Sequence, residues 1–294
     1  MKEIVLGVLV VFILLHIGVL GRDLVKNKAD LGSGSMPVSI GIGFITDFLD
    51  TLGIGAFAPT TLLMNVTKQL DDDRKVPGTL NVSHALSCLL EAIIFITVVK
   101  VEPLTLFSLV AAATVGSWIG SKYVTKLPEQ KVQFVMGCAL ILTAILMALK
   151  QSGLINILGE GNVATGLTGI KLIIGIVGNF GLGALMTMGV GLYAPCMAMV
   201  YMLGLSPLVA FPIMSASCGA LMPVASINFI RTGEYARKVS LGITIGGIVG
   251  VIIAAKFVTG LDITVLTWIV IVVIIYSGFT YIQKSRNMAR VQKT

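Results

Sequence analysis

Long apolar runs, separated by short charged segments, set the pattern of this chain. Seven of the runs are uninterrupted, and they cover residues 4–20, 79–99, 104–123, 130–149, 207–230, 237–257 and 263–283. Their lengths lie near the roughly 18–24 residues that a helix needs to cross the hydrocarbon core of a bilayer. Strand-like alternation of apolar and polar residues is absent. The pattern therefore predicts membrane-spanning α-helices, because a helix satisfies its own backbone hydrogen bonds in lipid.

Two further apolar runs are each broken near the middle by glycines. The first covers residues 36–67 and breaks at 50–55, and the second covers 168–203 and breaks at 187–191. About 14 residues remain on each side of the first break, which is fewer than a full span requires. Both runs contain the pattern Gly-x-Gly-x-x-x-Pro, and three uninterrupted runs follow each of them. This equivalence predicts an internal duplication.

The duplication divides the chain into five parts. We predict an N-terminal transmembrane helix and loop at 1–35, repeat 1 at 36–149, a connector at 150–167, repeat 2 at 168–283 and a cytoplasmic tail at 284–294. A cleaved signal peptide is the alternative for the first apolar run. No small-residue cleavage site follows that run, so we expect an uncleaved helix.

Lysine and arginine cluster in alternate loops, and this predicts the orientation. Positive charge is concentrated at 22–28, 68–75, 122–131, 231–238 and in the tail. These segments are expected in the cytoplasm, with the N-terminus outside and the C-terminus inside. The two broken runs then enter from opposite sides. We therefore expect an all-α polytopic protein of the cell membrane: an N-terminal helix plus two inverted repeats, each a glycine-broken helical hairpin followed by three transmembrane helices. Many secondary transporters have this arrangement.

Composition and motifs narrow the classes of function. The chain is 56% hydrophobic and 12% charged, with a mean hydropathy of +0.97, whereas soluble domains carry about a quarter charged residues. The net charge of +7 lies in loops where membrane topology accounts for it, so no nucleic-acid partner is expected. The sequence contains no nucleophile elbow, zinc signature, phosphate loop or dinucleotide fingerprint. We expect no enzyme active site, metal or cofactor, which disfavours a membrane enzyme or assembly subunit.

The matched glycine breaks are the first candidate for a binding site. Two short half-helices that meet near the midplane would present free N–H groups and positive dipole ends to an anion. Close helix packing and simple kinks are the alternatives. Residues of the breaks and nearby polar residues are the candidate substrate ligands: Thr51, Gly53, Gly55, Thr60, Asn81, Thr187, Gly189 and Gly191.

Four ionisable residues of the first repeat are candidates for coupling to a proton or sodium ion. Asp47 and Asp50 share one helix face, and carboxylates in a membrane span are expensive and usually functional. Alternatively, Asp50 caps the second half-helix, or both residues lie at the water interface. His84 and Glu91 lie two turns apart on the following span and form either a proton relay with the aspartates or a satisfied polar contact. The second repeat has Gly183 and Met186 at the two aspartate positions, so this role would be one-sided.

The twin hairpins at 41–59 and 175–195, followed by Gly116-x-x-x-Gly120 and Gly246-x-x-x-Gly250, resemble the sulfite exporter TauE/SafE family of permeases. The resemblance covers residues 36–283. It implies movement of a small anion such as sulfite, a sulfonate, thiosulfate or a short carboxylate.

We therefore expect a secondary transporter that works by alternating access, coupled to H⁺ or Na⁺, as a monomer or homodimer in the lipid bilayer. A passive anion channel or facilitator of the same fold, or a cation-coupled carrier of a non-anionic solute, is the alternative.

Overall fold

The computed structural model describes residues 2–123, 129–152, 162–186 and 192–291. These residues form α-helices with short connections, and no strand occurs among them. The helices are α1 (Lys2–Lys26), α2 (Met36–Thr51), α3 (Phe57–Val66), α4 (Val76–Val98), α5 (Pro103–Tyr123), α6 (Glu129–Gln151), α7 (Gly169–Met186), α8 (Tyr193–Met202), α9 (Pro207–Thr232), α10 (Arg237–Thr259) and α11 (Ile263–Val291). A single 3₁₀ turn, Asp73–Lys75, precedes α4.

The prediction of an all-α polytopic membrane protein is confirmed. Within the described residues, six helices are long and apolar enough to cross a membrane, namely α1, α4, α7, α9, α10 and α11. The helices α5 and α6 contain shorter apolar stretches, Pro103–Ile119 and Gln133–Leu149. Each half of the chain has two short or broken segments, α2–α3 and α7–α8, and three long helices after them. The inversion of the two repeats stays a prediction.

Two helix ends differ from the sequence prediction. The helix α1 continues to Lys26, through residues that the sequence assigned to a polar loop. Its last turn is held by Asp23, whose carboxylate accepts hydrogen bonds from Tyr235 Oη at 2.6 Å and Arg237 Nε at 2.6 Å. The helix α11 continues to Val291, so the described part of the expected tail is helical.

The chain packs as two compact units, which cut across the predicted repeats. Unit 1 comprises Met1–Val98 and Cys218–Phe257, and unit 2 comprises Val99–Ser217 and Val258–Thr294. Unit 1 therefore holds α1, the first broken hairpin, α4, the C-terminal part of α9 and most of α10. Unit 2 holds the second hairpin, α5, α6, α11 and the N-terminal part of α9.

Unit 1 is built around a close crossing of α2 and α10. A Cβ atom added at Gly43 would collide with the Ile243 carbonyl oxygen, and one added at Gly246 would collide with the Ile40 carbonyl oxygen. The two backbones touch at these glycines, as small residues allow in membrane helices. The helix α1 packs on α4, where His16 Nε2 lies 3.2 Å from the Val82 carbonyl oxygen.

Unit 2 repeats this crossing with α7 and α5. A Cβ atom added at Gly183 would collide with the Ala113 carbonyl oxygen, and one at Gly116 would collide with the Phe180 carbonyl oxygen. In unit 1, the glycine that meets the aligned Phe44 carbonyl oxygen is Gly250. The contacts therefore pair Gly116 with Gly250. Matching the motifs Gly116-x-x-x-Gly120 and Gly246-x-x-x-Gly250 by spacing alone would instead pair Gly116 with Gly246, one helical turn away, because glycine-rich helices match in several registers.

Candidate functional site

The first helix break is a glycine-dependent turn between α2 and α3. The helix α2 ends in a Schellman motif, in which the Gly53 N–H donates to the Asp50 carbonyl oxygen (2.7 Å) and the Ile54 N–H to the Leu49 carbonyl oxygen (3.1 Å). Gly53 and Gly55 have φ angles of +94° and +88°, a region that side chains with a Cβ atom rarely adopt. These two glycines are therefore required by the turn itself.

The carboxylate of Asp50 crosses this break and caps the second half-helix. Its Oδ1 atom accepts a hydrogen bond from the Ala56 N–H at 2.7 Å, directly before α3 begins at Phe57. The chain thus places one of its own carboxylates at the N-terminus of α3, where the sequence suggested a free anion site. This contact corresponds to the capping interpretation of Asp50.

Asp47 on α2 begins a buried chain of hydrogen bonds that runs through His84 on α4 to Thr60 on α3. Its two carboxylate oxygens lie 2.9 and 3.0 Å from His84 Nδ1 on α4. The other ring nitrogen, Nε2, lies 3.0 Å from Thr60 Oγ1 on α3. Asp47, His84 and Thr60 are all fully buried. The break brings α3 back toward α4, which is why one imidazole contacts both halves of the hairpin.

A second buried carboxyl group lies beside this chain. Thr51 Oγ1 is 2.8 Å from the Asp47 carbonyl oxygen and 3.4 Å from Glu91 Oε2. A hydroxyl has one proton, so Thr51 cannot donate to both acceptors at once. Glu91 is fully buried, and its Oε1 atom has no hydrogen-bond partner among the described residues. If Glu91 carries a proton on Oε2, it can donate that proton to the Thr51 hydroxyl, while the hydroxyl donates its own to the Asp47 carbonyl oxygen.

Unit 1 thus collects three buried carboxyl groups and one imidazole at a broken helix. Charges in a low-dielectric interior are costly unless they are paired or neutralised by a bound cation. The cluster of Asp47, Asp50, His84 and Glu91 is therefore suited to holding and releasing protons.

Comparison with known protein families identifies the chain. The family model described as sulfite exporter TauE/SafE matches residues 1–147, which include the whole of this cluster. The chain belongs to the sulfite exporter TauE/SafE family. It is a membrane transporter and a multi-pass membrane protein, as the family and the apolar helices indicate together. No curated protein matches the chain, and no solved structure matches it.

In this TauE/SafE transporter, the helix crossing that holds Asp47 in unit 1 has an equivalent in unit 2, but the equivalent positions there carry different residues. A Cβ atom added at Gly247 of α10 would collide with the Asp47 carboxylate and with the Ser87 hydroxyl. At the corresponding crossing of unit 2, Gly183 stands at the Asp47 position and Ala113 stands at the Gly247 position. The carboxylate of unit 1 therefore has its space because α10 carries a glycine opposite it.

Asn179 is a buried polar residue of unit 2 that is not among the candidate residues predicted from the sequence. It lies on α7 and is fully buried. In the alignment of the two broken runs it stands at Gly43, directly before the matched Phe44 and Phe180. An amide in the middle of an apolar stretch, Leu172–Met186, is the signal in the sequence that could have identified it.

The remaining predicted site residues are not all brought together. The Asn81 amide nitrogen donates to the Pro77 carbonyl oxygen of its own helix at 2.9 Å, so Asn81 is not part of the cluster. Asn81 lies about one helical turn before His84, and its side chain extends toward the N-terminal end of α4, away from the cluster. Thr187, Gly189 and Gly191 lie outside the described residues.

Proposed function

We propose that this TauE/SafE transporter is a proton-coupled secondary transporter of a small anion such as sulfite, a sulfonate, thiosulfate or a short carboxylate. Flux would occur by alternating access. The observation that carries the proposal is the fully buried contact of Asp47 with His84, which joins both halves of a broken membrane helix. Ionisable residues within membrane segments most often mark proton relays or ion pathways.

The charge of this pair changes with one proton. With His84 protonated and Asp47 ionised, the pair is neutral overall and forms a charge-assisted hydrogen bond. Loss of the proton leaves a buried carboxylate without a compensating charge, which is costly in a low-dielectric interior. Imidazole is the side chain best suited to exchange a proton near neutral pH. Alternating access requires the hairpin to adopt at least two arrangements. Proton binding would favour the arrangement in which Asp47 and His84 remain in contact.

Thr60 extends this dependence to the second half-helix. Its hydroxyl contacts His84 Nε2, so the proton on the ring decides whether the hydroxyl accepts or donates. When both ring nitrogens carry protons, Thr60 must accept. A change of protonation at His84 would thereby alter the hydrogen bond between α3 and α4. We propose that this change couples proton binding to a rearrangement of the hairpin during alternating access.

Glu91 would serve as a second proton position rather than a sodium ligand. Its partner is a hydroxyl that already donates to a carbonyl oxygen, and a protonated carboxyl group completes that geometry. Asp50 would keep the break in shape, since its carboxylate is used as the cap of α3.

Transport into proteoliposomes tests the proposal. The full chain is reconstituted, and uptake of labelled sulfite is followed with an imposed pH gradient, with an imposed sodium gradient and with neither. We expect the pH gradient alone to drive accumulation above equilibrium, and unlabelled sulfite inside to accelerate exchange. Accumulation driven by sodium alone would contradict the proton assignment. Non-saturable flux without exchange would instead support a passive facilitator.

A further inference from the structure

The buried amide of Asn179 in unit 2 is held in a single orientation. Its Nδ2 atom donates to the Leu109 carbonyl oxygen at 2.7 Å and to the Ser217 hydroxyl oxygen at 3.1 Å. The Ser217 hydroxyl in turn donates to the Ile213 carbonyl oxygen at 2.7 Å. Rotating the amide would turn Oδ1 toward the Leu109 carbonyl oxygen, which offers no proton. The two N–H bonds therefore fix the direction of Oδ1.

The Oδ1 atom of Asn179 lacks a hydrogen donor. The side chain is fully buried, and Oδ1 has no hydrogen-bond partner within the part of the chain that the structure describes. Buried acceptors are paired in nearly all native structures, and an unpaired one is costly. The fixed Oδ1 atom is therefore free to accept a hydrogen bond from a water molecule or from a ligand that brings a donor.

The position of Asn179 in the duplicated fold connects this acceptor to transport. The crossing of α7 and α5 corresponds to the crossing of α2 and α10, which holds Asp47 in unit 1. On α2 in unit 1, Gly43 is followed one turn later by Asp47. On α7 in unit 2 the order is reversed, and Asn179 is followed one turn later by Gly183. At these aligned positions, each broken helix thus carries one polar side chain and one glycine, in opposite order. Asp47 is ionisable, whereas Asn179 is neutral.

An amide oxygen accepts hydrogen bonds, so Asn179 Oδ1 favours a ligand that carries a donor. A fully ionised oxyanion presents only acceptors and is repelled by Oδ1, whereas a singly protonated oxyanion presents an O–H donor. The groups that contact the Asn179 amide are a carbonyl and a hydroxyl, both neutral.

We propose that Asn179 is a substrate-binding residue whose Oδ1 atom accepts a hydrogen bond from the O–H group of a singly protonated oxyanion such as hydrogen sulfite. This inference rests on the proposed function, because it takes the substrate to be a small anion. It assigns to unit 2 the discrimination between protonated and proton-free anions of equal charge.

Equilibrium binding to the purified full chain tests the inference. Titration calorimetry compares sulfite with methanesulfonate at a mildly acidic pH, where both ions carry one negative charge but only hydrogen sulfite has an O–H group. We expect the wild-type chain to bind hydrogen sulfite at least about tenfold more tightly, as one satisfied hydrogen bond implies. In Asn179→Leu that ratio should fall to about one to two.

Two variants separate recognition from folding. Asn179→Gly copies the Gly43 crossing of unit 1, so it tests removal of the amide in a geometry that the fold already uses, and its ratio should fall equally. Ser217→Ala removes the longer of the two Nδ2 bonds, but the bond to the Leu109 carbonyl oxygen still directs Oδ1, so this variant should keep the ratio. A preference that persists in both Asn179 variants would overturn the inference and show that Oδ1 holds a water only. A wild-type chain that binds neither ion, or both equally, would also overturn it.

The binding measurement is independent of coupling. In the wild-type chain, tighter binding of hydrogen sulfite without proton-driven uptake would contradict the proposed function alone. Equal binding of the two ions by the wild-type chain, alongside intact proton-driven uptake, would contradict the role of Asn179 alone.

Discussion

At the scale of single residues, the two aspartates of the first hairpin have different surroundings. Asp47 contacts an imidazole, whereas Asp50 accepts a backbone N–H across the break. The sequence placed both on one helix face and could not separate them, because spacing does not reveal which partner each carboxylate meets. The structure separates the two by contact.

The cap formed by Asp50 gives the first prediction. An asparagine oxygen can still accept the Ala56 N–H, so Asp50→Asn should keep proton-driven uptake, while Asp50→Ala should lower stability by about 1 kcal/mol. Thermal unfolding of the purified variants, together with uptake, measures both effects. Abolished coupling in a stably folded Asp50→Asn variant would show that the charge of Asp50, and not its cap, matters.

The hydroxyl of Thr60 gives the second prediction. Thr60→Val keeps the shape of the side chain but removes the contact with His84 Nε2, so the pH dependence of uptake should shift while expression stays normal. Thr61→Val is the matched control, because the Thr61 hydroxyl donates to the Phe57 carbonyl oxygen of its own helix. Equal pH profiles for the two variants would contradict the extension of the proton pathway to α3.

At the scale of helices, the sequence predicted most of the architecture. The bounds of α4 to α11 agree with the apolar runs to within a few residues, apart from the longer end of α11, because the length of an apolar run is set by the membrane. The sequence also located the break at Gly53 and Gly55, where positive φ angles require glycine. It did not reveal which residues face each other at the glycine crossings. It also did not reveal that Asp47 faces Gly247 in unit 1, whereas Gly183 faces Ala113 at the equivalent positions of unit 2. Those features depend on which helices pack together.

The crossing of α2 and α10 gives the third prediction. Gly247→Ala introduces a methyl group where the Asp47 carboxylate and the Ser87 hydroxyl lie, and both of these side chains are fully buried. We expect reduced proton-driven uptake, with a cost of roughly 1–3 kcal/mol in stability from overpacking. Thermal unfolding and uptake are measured in parallel.

A double variant provides the control for this crossing. Combining Asp47→Gly with Gly247→Ala installs the pair that unit 2 uses, Gly183 with Ala113. The double variant should recover much of the lost stability and still lack proton coupling. If Gly247→Ala changes neither stability nor uptake, the space around the carboxylate is not limiting.

At the scale of the whole molecule, residues distant in sequence stabilise each unit. In unit 1, Asp23 of α1 contacts Tyr235 and Arg237, and the Arg237 guanidinium lies 5.6 Å from the centre of the Tyr235 ring. Burial, followed by the hydrogen bond to Asp23, raises the pKa of Tyr235, so this hydroxyl keeps its proton. The N-terminal helix is thereby fastened to the start of α10, and this explains why α1 extends beyond its apolar run.

This fastening gives the fourth prediction. Asp23→Ala should lower the free energy of unfolding by roughly 1–3 kcal/mol, because charge-assisted and partly buried hydrogen bonds are lost. Uptake per folded molecule should stay unchanged, since the contact lies outside the Asp47 cluster. A double-mutant cycle with Arg237→Ala isolates the pair. A coupling energy near zero would contradict the role of this contact.

The central claim is that Asp47 and His84 carry the coupled proton, and proton movement measured alongside anion flux tests it most directly. Proteoliposomes that contain a pH-sensitive dye are given a gradient of sulfite, and the lumenal pH is followed for the wild-type chain, Asp47→Asn and His84→Gln.

The matched control is Asp72→Asn. Hydrogen bonds from Arg74 lower the pKa of the exposed Asp72 carboxyl group to about 2, so Asp72 stays ionised between about pH 5 and 8, the range in which histidine titrates. We predict proton movement with the anion for the wild-type chain and for Asp72→Asn, and a loss of at least about tenfold for the Asp47 and His84 variants. Undiminished proton movement in a folded Asp47→Asn variant would contradict the account.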